Sequence, residues 1–195
     1  MGGCCASKDQ LEEVELSTTT NEALCCKSGL KGENVSIATN EENGIYILYG
    51  NGTMIGSCCL DCDTAYWEVR VGKNPEGLKI GVKRFPKKVG GKLFEHLDSE
   101  PDPNSPAWCL SDTELKEDDV VSVYWDQTDL PMLSFAVNGE MVSYAVTRIR
   151  PTVDIYPAVS IRDGSGCEVA FDERDFQFQP KSSKFKMIIC SSSLI

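Results

Sequence analysis

The stretch 64–71, Thr-Ala-Tyr-Trp-Glu-Val-Arg-Val, alternates strictly: Trp67, Val69 and Val71 fall on one face of an extended chain, and Tyr66, Glu68 and Arg70 on the other. Side chains two apart share a face only in a strand, so this period predicts a half-buried β-strand. Residues 119–125 repeat it, with Val121, Val123 and Trp125 opposite Val120, Ser122 and Tyr124. Both faces are apolar there, which predicts a central strand. Residues 132–137 put Leu133, Phe135 and Val137 together, and Asn138-Gly139 leads straight into Met141-Val142-Ser143-Tyr144. An Asn-Gly pair between strands predicts a type I′ hairpin, because both central residues take positive φ. Shorter apolar runs near 35–39, 45–49, 78–83, 107–110, 152–161 and 166–171 are broken by Gly, Asn, Asp and Pro. Many short strands and no sustained helical stripe predict an all-β, two-sheet antiparallel sandwich. It is expected over 34–180, after a flexible, acidic, cysteine-containing tail (1–33) and before a short C-terminal extension (181–195).

Charge narrows the function. The 195 residues carry 19 Lys and Arg against 30 Asp and Glu, a net charge of −11. Nucleic acid is bound by exchanging counterions for a Lys/Arg surface, so it is excluded as a partner. Adhesion to anionic lipid by charge alone is excluded for the same reason. No stretch approaches the ~18–20 apolar residues of a membrane-spanning helix. The single histidine, His96, lies in the Pro/Gly-rich stretch 84–106. Neither a Gly-x-Ser-x-Gly elbow nor a phosphate-cradling glycine loop is present. Nothing assembles a nucleophile, a base and an orienting group, so no enzyme, catalytic residue or cofactor is expected.

Ten cysteines are a high count for 195 residues. Cys59-Leu60-Asp61-Cys62 is a C-x-x-C with Cys58 adjoining it. A structural zinc site needs four ligands, and no second pair stands at a matching spacing. A redox pair wants a helix N-terminus to lower the thiol pKa, whereas this motif precedes a strand. A thiol or zinc-binding protein is therefore the weakest alternative, and no metal is expected. No apolar secretory core follows Met1, so the cysteines are expected to be thiols in a reducing compartment rather than a disulfide framework.

The chain opens Met1-Gly2-Gly3-Cys4-Cys5-Ala6-Ser7. Loss of Met1 would expose Gly2 for N-myristoylation, and Cys4 and Cys5 stand beside it for palmitoylation; the usual Ser/Thr at position 6 is replaced by Ala6. One acyl chain gives marginal membrane binding and a second makes it stable. No polybasic stretch follows, so the second signal must be lipid. The expected location is cytoplasmic, peripheral on the cytosolic face of a membrane.

Tyr66-Trp67-Glu68-Val69-Arg70-Val71, Ile80-Gly81-Val82, Trp108-Cys109-Leu110, Asp119 to Asp126, Leu133 to Gly139, Ile155 to Ser160 and Val169-Ala170-Phe171 follow one another in order. Together they resemble the B30.2/SPRY family over roughly 35–175. The resemblance implies a bent β-sandwich that binds a protein or peptide through loops at one end. Asp118 departs from it: the family commonly has Gly before the Asp-Val-Val run, which predicts a slightly different turn. The expected partner-binding loops are the basic stretch with Lys83, Arg84, Phe85, Lys87, Lys88 and Lys92, and the turn with Asp126, Gln127 and Thr128. The alternative is a carbohydrate- or small-ligand-binding sandwich, which would need an exposed aromatic such as Tyr46, Tyr49 or Tyr144. Trp67, Trp108, Trp125, Phe135 and Phe171 alternate on strand faces and are expected to be core. Gly81 is expected where a strand bends or two backbones approach closely.

Overall fold

The structure, a computed structural model, describes residues 26–40, 45–84, 97, 106–111, 113–147, 149 and 155–188, without the side chains of 26–30 and 143–147. Twelve strands are assigned among them: β1 (Cys26–Lys31), β2 (Val35–Thr39), β3 (Tyr46–Gly50), β4 (Gly52–Gly56), β5 (Thr64–Val71), β6 (Lys79–Arg84), β7 (Ala107–Cys109), β8 (Val120–Asp126), β9 (Met132–Val137), β10 (Glu140–Thr147), β11 (Ile155–Ile161) and β12 (Gly166–Ala170). They form two antiparallel sheets, one ordered β1-β4-β11-β6-β7 and the other β10-β9-β8-β5-β12-β3-β2. This is the two-sheet sandwich that the alternation predicts.

Period two sorts the core as expected. Trp67, Val69, Val121, Val123, Trp125, Leu133 and Phe135 from the seven-stranded sheet meet Met54, Ile80, Val82, Ile155 and Val159 from the five-stranded one in a single buried cluster. The Trp125 indole N–H donates to the Cys62 carbonyl at 3.2 Å, so the ring also pins the β4–β5 connection. At Gly81 the backbones of β6 and β7 approach so closely that a Cβ would lie 2.0 Å from the Trp108 carbonyl oxygen. The turns follow their chemistry too. Asn138 and Gly139 take φ of 51° and 81°, as a type I′ hairpin requires. Asp118 takes φ 70°, so the turn keeps the left-handed conformation without glycine; Asp is one of the few residues that tolerate it.

Two features differ from the sequence reading. β1 begins at Cys26, inside the stretch read as tail, and β4 was not expected. β1 is an edge strand of small and charged residues, Cys-Lys-Ser-Gly-Leu-Lys, held to β4 through the backbone with an irregular register. β4 is only Gly-Thr-Met-Ile-Gly, too short for a period to emerge.

The far face of β5 is also covered rather than half-exposed. Residues after β12 turn back across the outside of the seven-stranded sheet. Phe176 stacks edge-on to Tyr66 at 4.8 Å between ring centroids, and Phe185 does the same to Tyr124 at 5.1 Å. β12 pairs with β5 only between Glu68 and Val71. Further along, the unpaired Tyr66 N–H is taken by the Lys186 carbonyl at 2.9 Å, and Thr64 Oγ1 donates to the Lys184 carbonyl at 2.7 Å. Ile188 then enters the main core. The C-terminal segment thus closes the ladder that β12 leaves open.

Glu68 is the hub of that closure, at 3% exposure. Its Oε2 accepts the Gln177 N–H at 2.6 Å and its Oε1 the Phe178 N–H at 3.0 Å. The Tyr66 hydroxyl donates to the same Oε1. It lies 2.9 Å from both Ser122 Oγ and the Phe178 carbonyl oxygen. Burial, reinforced by the Glu68 carboxylate, pushes the Tyr66 phenol well above its ordinary pKa, so it remains a donor. A buried carboxylate is tolerated here because charge-assisted hydrogen bonds surround it.

Candidate interaction site at one end of the sandwich

Register decides which connections meet. Thr64 at the start of β5 pairs with Asp126 at the end of β8, so the β4–β5 connection (57–63) and the β8–β9 turn (127–131) leave the same end of the seven-stranded sheet. Gln127 N–H donates to the Asp63 carbonyl at 2.7 Å, joining the two. Leu60 N–H donates to the Ile155 carbonyl, also at 2.7 Å, and Ile155 pairs with Arg84. This chain of bonds carries the same end across to the five-stranded sheet, where β6 finishes and β11 begins. The Asn138-Gly139 hairpin lies at the opposite end, because β9 runs away from Asp126.

The turn itself is rigidly built. Asp126 Oδ1 accepts from Thr128 N–H at 3.1 Å and Thr128 Oγ1 at 2.6 Å, closing an Asx-type turn. Its Oδ2 pairs with Lys184 Nζ at 2.6 Å. Burial pushes the Asp126 pKa upward, but the Lys184 and Thr128 hydrogen bonds outweigh it and hold the carboxyl below the ordinary carboxylate range. The two amide polar atoms of Gln127 are buried without a hydrogen-bond partner. Leu130, at the tip, is 60% exposed.

The expected loop residues divide three ways. Asp126, Gln127 and Thr128 lie at this end, but Asp126 is engaged by the C-terminal segment. Lys83 is not a loop residue: it lies in β6 between Tyr156 and Ala107 and is 7% exposed, because β6 is sandwiched between β11 and β7. Arg84, half-buried, is the last residue of β6. Phe85, Lys87, Lys88 and Lys92 lie outside the described residues, as do His96, Gly2, Cys4 and Cys5. Leu130 closes the turn 126–130 that the sequence reading named, but nothing in the sequence singled it out from its polar neighbours.

Among the described cysteines, one differs from the expectation of thiols. Cys58 is disulfide-bonded, while Cys59, Cys62, Cys109 and Cys167 are thiols. Cys58 is buried in the main core, within the β4–β5 connection. Burial pushes the Cys62 thiol up, and Asp61 and Asp63 add to it, the reverse of what a reactive C-x-x-C needs. Among the described residues no three His, Cys, Asp or Glu side chains converge on a metal position. No helix among them is long and apolar enough to cross a membrane. Of the tyrosines considered for a sugar, Tyr46 packs against Phe171 at 6.2 Å, Tyr49 is 53% exposed, and the Tyr144 side chain is outside the described set.

The SPRY domain family model matches residues 64–174, more than half of the chain. The chain belongs to the SPRY domain family. Solved structures agree on the fold. The NEUZ (NHR) domain of Neuralized from Drosophila melanogaster superposes with a TM-score of 0.57 at 15% identity, covering 84% of this chain and 99% of that one. The PSpry domain of TRIM65 gives 0.55 at 12% identity, over 76% and 90%. The SPRY domain of human HERC1 gives 0.50 at 17% identity, over 76% and 99%. No curated protein matches the chain in sequence. SPRY domains are protein-interaction modules, generally without catalytic activity. The match stops at residue 174, yet Phe176, Phe185 and Ile188 belong to the packed structure of this SPRY domain.

Proposed function

We propose that this SPRY domain is a non-enzymatic adaptor that holds a protein or peptide partner at the end formed by 57–63, Arg84 and 127–131. The observation that carries the reading is that these connections leave one end of the sandwich, where Leu130 is exposed, in a member of an interaction family. Acylation at Gly2, Cys4 and Cys5 tethers the domain to the cytosolic face of a membrane. Tethering raises its concentration near membrane-bound partners, so a modest loop affinity suffices.

Two measurements test this. Full-length chain carrying Leu130→Asp, or Arg84→Glu with Lys87→Glu and Lys88→Glu, is expected to lose its captured partners about tenfold or more while melting as the parent does. Unchanged capture by both variants overturns the loop-end assignment. Gly2→Ala is expected to move the protein from the membrane to the soluble fraction on cell fractionation, since palmitate follows only where myristate has first brought the chain. An unchanged distribution removes the tether.

A further inference from the structure

Away from the loop end, the C-terminal segment covers β5 and β8 but leaves β12, β3 and β2 open on the same outer face. At the border lies a cavity of about 310 Å³. Small-ligand sites begin at about this size, roughly 300–1,000 Å³. Glu68, Arg70 and Glu168 line it from the strands, Asp175 and Gln177 from the C-terminal segment, and Asn40 from the β2–β3 turn.

Its charges do not cancel. Arg70 is committed: Nη2 donates to Gln177 Oε1 at 2.7 Å, and Nε stands 4.0 Å from Glu168 Oε2. Glu68 is satisfied by the two backbone N–H groups and Tyr66. Among the described residues, Glu168 has only the long contact to Arg70, and the Asp175 carboxylate accepts no hydrogen bond. Asp172 nearby is engaged by Arg174 at 2.6 and 2.9 Å, which holds its pKa down to about 2. Burial, with the Asp172 charge, raises Asp175 above the ordinary carboxylate range. A cation entering the cavity would relieve that penalty.

An apolar shelf adjoins the pocket. Ile47 is the register partner of Glu168 and so shares its outer face; Tyr49 follows two residues on, and both are exposed. Scattered exposed apolar residues need no explanation, but two on one face beside an uncompensated acidic cavity form a composite surface. The chain's own N-terminal stretch does not fit, since residues 1–20 hold one Lys against four acids. We propose that this surface, separate from the loop end, binds a basic peptide segment of a partner. An arginine or lysine side chain enters between Glu168 and Asp175, and a neighbouring apolar residue lies on Ile47 and Tyr49. The overall charge of −11 steers such a segment in.

The test is fluorescence anisotropy on the full chain. The probe is a fluorescein-labelled peptide alternating arginine and leucine, and its control replaces arginine with citrulline, which keeps the shape and removes the charge. The parent chain is expected to bind the arginine peptide and not the citrulline one. Glu168→Gln with Asp175→Asn should weaken binding about tenfold or more, and Tyr49→Ser by several-fold. Glu33→Gln with Glu140→Gln removes the same charge at exposed positions elsewhere and should leave affinity unchanged. Leu130→Asp should also leave it unchanged, which separates failure here from failure of the loop-end reading. No binding to the parent, equal binding of the citrulline peptide, equal losses from both carboxylate pairs, or a response only to neutral glycans overturns the proposal.

Discussion

Trp125→Ala is expected to destabilise the domain by about 4 kcal/mol, a large share of the ~5–15 kcal/mol that separates folded from unfolded domains. The ring is fully buried between the sheets, so its removal leaves a cavity bounded by strands that cannot collapse independently. The variant also orphans the Cys62 carbonyl, which the indole N–H satisfies. Trp125→Phe retains most of the volume and loses the N–H, so it should cost less, about 1–2 kcal/mol. Urea unfolding followed by circular dichroism measures both. An alanine variant within about 1 kcal/mol of the parent would place the ring outside the core and remove the sandwich with it.

Glu68→Ala is expected to cost about 3 kcal/mol, for a different reason. It leaves the part-buried N–H groups of Gln177 and Phe178 without their acceptor, and the Tyr66 hydroxyl loses its carboxylate. Glu68→Gln should fall between, because its amide oxygen can still accept from Phe178 and Tyr66 while its NH2 confronts the Gln177 N–H. The damage should be local first. Limited proteolysis is expected to cut the alanine variant within 176–188 under conditions that spare the parent, leaving the strands intact. Equal resistance of the two proteins would mean that Glu68 does not hold the segment. Trp125→Ala, by contrast, should expose every strand together.

These two residues also show what the sequence made legible. Trp125 sits in a period-two run, and alternation alone assigned it to the core. Asn138-Gly139 named its own turn, whereas Asp118 was read only as a departure from glycine, and its left-handed conformation came from the structure. Glu68 sits in an equally clear run, yet the same logic sent it to solvent. Periodicity reports only that a strand has two faces; it cannot report that a segment more than a hundred positions later covers the second. The available signal was Phe176, Phe178 and Phe185, aromatics spaced through a polar stretch that has no period of its own. Lys83 failed for a related reason. Its charge was grouped with its neighbours Arg84 to Lys92, whereas its position continued the Ile80-Gly81-Val82 strand. At the loop end, composition gave the stretch but not the geometry, since Leu130 stands out only once the Asp126–Thr128 turn and its bond to Asp63 are in place.

The Glu68 closure has a consequence for how the chain is made. The amide of Gln177 is 109 residues downstream of the carboxylate that receives it. At about 5–20 residues per second, a ribosome needs on the order of ten seconds to supply that distance. Until then a nascent chain displays Tyr66, an unmatched carboxylate and, once translated, Tyr124 on the outer face of β5 and β8, a surface suited to chaperone capture. Closure therefore waits on residues 176–188, and their arrival decides whether the first sheet formed stays soluble.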